Sequence, residues 1–186
     1  MRKVKLQMQL TLNGLVAGPN GEMDFFTWNW GEDIKNYVKE ITEPVDTIIL
    51  GRKLAEGFIP HWTASQADPK TADLFAQKMV DLPKVVFSRT LTQSKWDNTT
   101  IALDPEIEIE QLKNKPGKDI IVYGGANLVS SLISQGLIDE YHLFINPVAV
   151  GNGLSIFGEV SSRLNLRLVR SQRFDCGIVV LNYSLS

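Results

Sequence analysis

Val4, Leu6, Met8, Leu10 and Leu12 alternate with Lys5, Gln7, Gln9, Thr11 and Asn13. A period of two predicts a strand with one apolar face. Its polar face meets solvent, lines a polar cleft or forms a subunit contact, and alternation alone does not choose among these. Asn13-Gly14 and Gly18-Pro19-Asn20-Gly21 then mark a loop. Ile34, Tyr37, Val38 and Ile41 fall at helical spacing and predict a helix ending at Glu43-Pro44. Thr47 to Leu50 reads as a short strand. Leu54 and Phe58 suggest a short helix that Gly57 weakens and Pro60 closes, leaving His61 and Trp62 in a loop.

Further along, residues 70–82 predict a helix with Leu74, Phe75, Met79 and Leu82 on one side and Pro83 as its stop. Lys84 to Phe87 and Asn98 to Leu103 read as strands. Asp104-Pro105 is a cap and first-turn pair for a helix over 105–114. Ile120 to Tyr123 is long enough for one buried strand. Leu128, Val129, Leu132 and Ile133 share a helical face, with Gly136 at the C-cap position. A strand over Tyr141 to Val150 follows, so residues 119–150 spell a βαβ unit. Leu164 to Val169 and Ile178 to Leu185 predict a hairpin around Asp175-Cys176-Gly177.

At 186 residues, 44% hydrophobic, the chain suits one domain spanning residues 1–186. A net charge of −2 without a basic block argues against a nucleic-acid partner. The single cysteine, Cys176, rules out an internal disulfide and fits a reducing compartment. His61 and His142 lack ligand spacing, so no metal is expected. Without a signal-like start or a long apolar run, the expectation is a cytoplasmic protein that meets no membrane.

Three predicted strands end in groups suited to anions: Gly51-Arg52-Lys53, Ser88-Arg89-Thr90 and Gly124-Gly125-Ala126-Asn127. The glycine pair permits close backbone approach, and the following helix aims unpaired N–H groups at it. On its own a glycine pair is a weak signal, and a bland tight turn is its simpler reading. If the strands are parallel, all three turns gather beyond one edge of an open sheet. Four aromatics, Phe25, Phe26, Trp28 and Trp30, are either core plugs or pocket walls for a flat ring. Asp33 sits at a helix start, where capping is its simplest role.

At this point the chain resembles the dihydrofolate reductase-like fold, and within it the family of the RibD C-terminal reductase domain of riboflavin biosynthesis. The resemblance is carried by Val122-Tyr123-Gly124-Gly125-Ala126-Asn127-Leu128, by Leu137-Ile138-Asp139-Glu140-Tyr141, and by the run from Pro147 to Phe157. Thr11-Leu12-Asn13-Gly14 is similar to the family's turn after the first strand. The resemblance implies an α/β, three-layer fold with a mostly parallel central sheet and an antiparallel C-terminal hairpin. It implies NADPH as cofactor, with Arg52, Ser88 and Arg89 around the 2′-phosphate and Gly124, Gly125 and Ala126 at the pyrophosphate. Lys53, Thr90, Gly51 and Asn127 flank those contacts, and the nicotinamide would lie near Asn13 and Gly14. Phe25, Trp28 and Trp30 would wall the substrate.

Trp28-Asn29 and Asp33 resemble the tryptophan–asparagine and helix-start aspartate of dihydrofolate reductases. That implies Asp33 as the proton-handling residue, its pKa raised by the surrounding tryptophans. Gly31 and Glu32 depart from that motif, and Asn13 stands where the RibD turn is acidic.

The expected activity is NADPH-dependent reduction of a C=N bond in a pyrimidine- or pterin-like small molecule. With no deaminase domain expected, a stand-alone relative is the reading. The alternatives are a dihydrofolate reductase and a non-catalytic NADPH- or nucleotide-binding homologue. A homodimer is implied as well, with Tyr141 to Val150, Ile156 and Phe157 as its candidate interface.

Overall fold

In the computed structural model, which describes residues 1–186, the elements run β1 (Val4–Leu10), α1 (Glu32–Thr42), β2 (Val45–Gly51), α2 (Arg52–Ala67), α3 (Leu74–Asp81), β3 (Lys84–Phe87), β4 (Thr99–Ala102), α4 (Pro105–Asn114), β5 (Asp119–Gly124), α5 (Ala126–Ser134), β6 (Glu140–Ile145), β7 (Leu166–Arg173) and β8 (Val179–Leu185). The strands form one eight-stranded sheet in the order β4-β3-β2-β5-β1-β6-β8-β7. From β4 to β6 every pairing is parallel, whereas β8 and β7 add antiparallel. This is the mixed α/β arrangement of dihydrofolate reductase-like folds, with its C-terminal hairpin.

The sheet is covered on both sides, as parallel strands require. On one side α4 and α5 lay Ile109, Leu112, Val129 and Leu132 against Val4, Leu6, Ile120, Val122 and Tyr141. The opposite side holds two separate apolar clusters. One joins α1 to β6 and β8 through Ile34, Tyr37, Phe144 and Val180. The other joins α2 and α3 to β2, β3 and β5 through Ala55, Ile59, Met79, Leu50 and Ile121.

Several boundaries differ from the sequence expectation. Pro60 does not close a short helix; α2 continues to Ala67, and His61 and Trp62 lie on it. The apolar stripe Ala55, Phe58, Ile59 and Trp62 continues across the proline, so packing against β2 and α3 favours continuation. Pro60 and Glu56 are both exposed, so water can pair the carbonyl that proline leaves without a donor.

β1 stops at Leu10, and Leu12 is 71% exposed. α3 begins at Leu74, not residue 70. Asp73 caps it by accepting from the Ala76 N–H, which turns Leu74 outward at 90% exposure. β6 ends at Ile145 because Asn146 turns inward and Pro147 has no N–H for a ladder. β7 runs to Arg173 past an irregularity between Leu168 and Arg170. Much of the expected interface is core instead: Tyr141, Phe144 and Ile156 are fully buried, whereas Phe157 is half-buried and Pro147 and Ala149 are exposed. No helix is long and apolar enough to cross a membrane, and no three His, Cys, Asp or Glu residues gather as a metal site.

Candidate active site

Parallel strands place their carboxyl ends at one edge, and β3, β2, β5, β1 and β6 are consecutive neighbours there. Gly51 pairs with Phe87, and Leu50 with Gly124. The three anion-suited turns therefore stand side by side. Their contact is close: a Cβ on Gly51 would come within 3.0 Å of the Gly125 amide nitrogen. Gly124 has φ +117, a conformation that favours glycine, and its peptide bond to Gly125 is cis.

The helices leaving this edge differ in how they start. α4 opens on Asp104, whose carboxylate accepts from the Glu106 and Ile107 N–H groups. α1, α2 and α5 open on Gly31, Gly51 and Gly125, with no side-chain cap. At α2 and α5 unpaired N–H groups and positive dipole ends are thus left facing the turns, where an anion can take them, whereas in α1 the Asp33 carboxylate already accepts from the Ile34 N–H.

Cations surround this edge. Arg52, the first residue of α2, holds Glu56 at 2.8 Å. That exposed pair is weak enough to exchange for a phosphate. Lys53 and Arg89 are exposed and pair with no carboxylate. Ser88 Oγ accepts from the Thr90 and Leu91 N–H groups at 3.1 and 2.9 Å, which fixes the turn that carries Arg89. Asn127 is exposed on the first turn of α5 beside half-buried Ala126.

After β1, Gly14 adopts φ +82. The Asn13 side chain is engaged by the neighbouring loop: its Nδ2 donates to the Val150 carbonyl at 2.7 Å, and its Oδ1 accepts from Thr11 Oγ1. Asn146, fully buried, accepts from the Thr27 N–H and donates to Gln9 Oε1. It thereby pins the aromatic segment to the ends of β1 and β6. Sequence reasoning missed Asn146; its signal was a polar residue just before Pro147 at the end of an apolar strand.

The aromatic segment divides its roles. Trp30 stacks on Phe144, centroids 6.0 Å apart, and its Nε1 donates to the Thr27 carbonyl. Trp28 is 57% exposed, with Trp30 at 6.0 Å, and Phe25 packs edge-on against buried Phe26.

Asp33 does not have the environment expected of an acid. Its carboxylate accepts from the Asp175 N–H at 2.9 Å and the Ile34 N–H at 2.8 Å. These bonds, Asp175 first, hold its pKa below the usual carboxylate range. The tryptophans do not raise it; the group ties α1 to the β7–β8 turn.

Deeper on the same sheet face, Glu140 is drawn down to about 2, chiefly by the His142 ring and then by Lys3 and Lys5, against its burial. Two open hollows lie at the other end of the strands, beside Ile109 and Lys113 and beside Pro83 and Lys84. Neither touches the turns or gathers their chemistry.

A family model described as RibD C-terminal domain matches residues 2–180. The uncharacterized protein YyaP of Bacillus subtilis is 36% identical over 187 residues, covering 98% of this chain and 94% of that one. A diaminohydroxyphosphoribosylaminopyrimidine deaminase/5-amino-6-(5-phosphoribosylamino)uracil reductase of Thermotoga maritima superposes with a TM-score of 0.70 at 16% identity, over 100% of this chain and 57% of its own. Dihydrofolate reductase from Enterococcus faecalis, complexed with NADP(H) and RAB-propyl, superposes with a TM-score of 0.64 at 14% identity, over 99% and 96%. At those identities the two structures share the fold.

Proposed function

Because the chain belongs to the RibD C-terminal domain family, we propose that it is an NADPH-dependent reductase of a C=N bond in a pyrimidine- or pterin-like compound. The observation that carries this reading is the edge itself: uncapped α2 and α5 start on neighbouring strands, with Arg52 and Arg89 beside them. The close approach of Gly51 to Gly125 leaves a cradle of backbone that a side chain would fill. Those features fit a dinucleotide with three phosphate groups.

Arg52, Ser88 and Arg89 would hold the 2′-phosphate, guanidinium geometry matching phosphate oxygens. Gly124, Gly125 and the first amides of α5 would hold the pyrophosphate, with Gly51, Lys53, Thr90 and Asn127 around them. Bound NADPH supplies the hydride. Phe25, Trp28 and Trp30 would wall the substrate and limit water, while Gly14 leaves room beside β1 for a ring. Asn13 would position that loop through Val150 instead of contacting the cofactor.

Tryptophan fluorescence under titration with NADPH and NADH tests the reading. NADPH is expected to bind more tightly, and Arg89→Ala to weaken NADPH about tenfold or more while sparing NADH. Equal affinity for both cofactors in the native chain contradicts it.

A second reading is an NADPH-binding homologue without turnover, favoured by the depressed pKa of Asp33. Tight NADPH binding without oxidation across pterins and aminopyrimidines selects that reading. Stabilisation by folate analogues would instead favour a dihydrofolate reductase.

The reductase is further proposed to be a homodimer. Leu168, Val179 and Leu185 are 51%, 37% and 37% exposed on one face of the β7–β8 hairpin, an apolar surface suited to a second copy. Sedimentation at micromolar concentration is expected to give twice the chain mass, and a monomer at every concentration refutes the dimer.

A further inference from the structure

From Pro19 to Trp30 the chain forms neither helix nor strand. Its hydrogen bonds there are local: Gly21 to Gly18, Gly18 to Glu22, Asn20 to Glu22, Phe26 to Met23 and Trp30 to Trp28. One alone reaches another part of the fold. The Thr27 N–H donates to Asn146 Oδ1 at 2.9 Å, across 119 positions of sequence. Buried Phe26 and half-buried Trp30 draw the segment onto the protein, but apolar burial is non-directional. The bond to Asn146 is what fixes where along the sheet the segment lies.

The partner is rigid. Asn146 is fully buried, and its Nδ2 faces three oxygens: Gln9 Oε1 at 2.7 Å, Phe144 O at 3.2 Å and Leu10 O at 3.3 Å. An amide oxygen turned to that side would meet only acceptors, so Oδ1 points the other way, at Thr27. Leu10 and Phe144 belong to β1 and β6, which pair in the interior of the sheet. Ending the strand does not call for a carboxamide here. The Asn146 main-chain N–H already donates to Leu10 O at 2.8 Å, and any residue but proline could do that. Burying a carboxamide is unfavourable unless its groups are paired, and its oxygen is paired by the loop alone.

The constraint is passed on. The Thr27 carbonyl accepts from Trp30 Nε1 at 2.8 Å, so Thr27 is held at both its main-chain groups. Trp30 lies 15° from parallel to Phe144, and Phe144 stands two residues before Asn146. Asn146, Thr27, Trp30 and Phe144 thus close a circuit that begins and ends at the carboxyl end of β6. In it Phe144 sets the plane of the Trp30 indole and Thr27 sets its edge. Trp28, the next residue after Thr27, is 57% exposed and faces Trp30 at 6.0 Å. The two indoles that line the segment therefore take their angle from one tethered residue.

We propose that Asn146 is a positioning residue for the reaction: from the end of β6 it fixes Thr27, and through Thr27 it sets the Trp28 and Trp30 rings at the angle that receives a flat substrate. This rests on the reductase reading for the identity of that substrate. A wall does no chemistry, yet a misplacement of about 1 Å away from the reacting atoms can cost rate and affinity. Precise sites hang on supporting hydrogen bonds to rigid elements, and the tether from the sheet to this segment is of that kind. Asn146 acts only through Thr27.

The experiment uses the full chain, with pterin and 5-aminouracil as flat probes, each titrated calorimetrically with and without NADPH. Asn146→Leu keeps the branched shape and removes the bond from the sheet side. Thr27→Pro removes it from the loop side, at a half-buried position, so failure of one variant to fold leaves the other. The native chain is expected to bind at least one probe, and both variants to weaken it about tenfold or more. NADPH is expected to bind within about twofold of native, because its edge shares no partner with this tether. A residue serving stability alone would lower the melting temperature without separating the two affinities. Hydrogen exchange reads the tether itself: the Thr27 amide should be protected in the native chain and exchange freely in Asn146→Leu, while the amides of β6 stay protected. An unprotected Thr27 amide in the native chain, native probe affinity in both variants, equal loss of probe and NADPH, or binding of neither probe by the native chain overturns the assignment. The preference of the native chain for NADPH over NADH tests the reductase separately. A chain indifferent to NADPH whose probe binding still depends on Asn146 retains this inference and loses that reading.

Discussion

Asp33 shows how local pairing decides a residue's chemistry. A carboxyl group in an apolar pocket has a raised pKa, but one that accepts two backbone N–H bonds has a lowered one. The partners of Asp33 are Asp175 and Ile34, and the second effect wins. A lowered pKa gives stability that is present above the group's unfolded value and lost as pH falls through the folded one. Asp33→Asn is therefore expected to flatten the fall in stability below about pH 4, read by denaturant unfolding at a series of pH values. The same substitution should leave the pH dependence of NADPH oxidation unmoved. A shifted activity profile would return Asp33 to the role of proton donor. Sequence could not decide between these roles, because Asp175 lies 142 positions away along the chain and nothing local announces the contact.

At the scale of elements, adjacent glycines serve different ends. Gly124 sits at φ +117 with Met8 Cε 3.0 Å from where a Cβ would stand, whereas a Cβ on Gly125, at φ −78, would meet nothing within 4 Å. Gly124→Ala is expected to destabilise the fold by about 1–3 kcal/mol. Gly125→Ala is expected to leave the melting temperature unchanged yet weaken NADPH about tenfold, because its methyl enters the space where the backbone must approach a pyrophosphate. If both variants bind NADPH as the native protein does, the glycine pair is only a turn. The turn and the helices beside it were legible because glycine next to an apolar run is a local signal. The length of α2 was not: Pro60 is also local, but the packing of Phe58 and Trp62 that carries the helix past it is tertiary.

Across the whole molecule, what organises the site is strand order. β1 pairs with β5 and β6, more than a hundred residues later, and this inserts its glutamines between two apolar clusters. The alternation in β1 showed that a polar face exists. Little of that face meets solvent, since Lys5 is 8% exposed and Gln7 and Gln9 are half-buried. In a sheet covered on both sides, such a stripe marks a gap between covering helices, which no single segment reveals. The same topology makes a prediction for hydrogen exchange. Amides of β2, β5, β1 and β6 are paired on both sides and should exchange only on global unfolding, whereas β4 and β7 form the sheet edges and should open locally. Saturating NADPH is expected to add protection at the uncapped starts of α2 and α5, at Lys53 and Ala126, by filling their unpaired donors. The start of α4 should not respond, because Asp104 already pairs its first amides. Protection appearing at α4 or β7 and not at the two glycine-led helices would place the cofactor away from this edge, and the proposed cradle would fall with it.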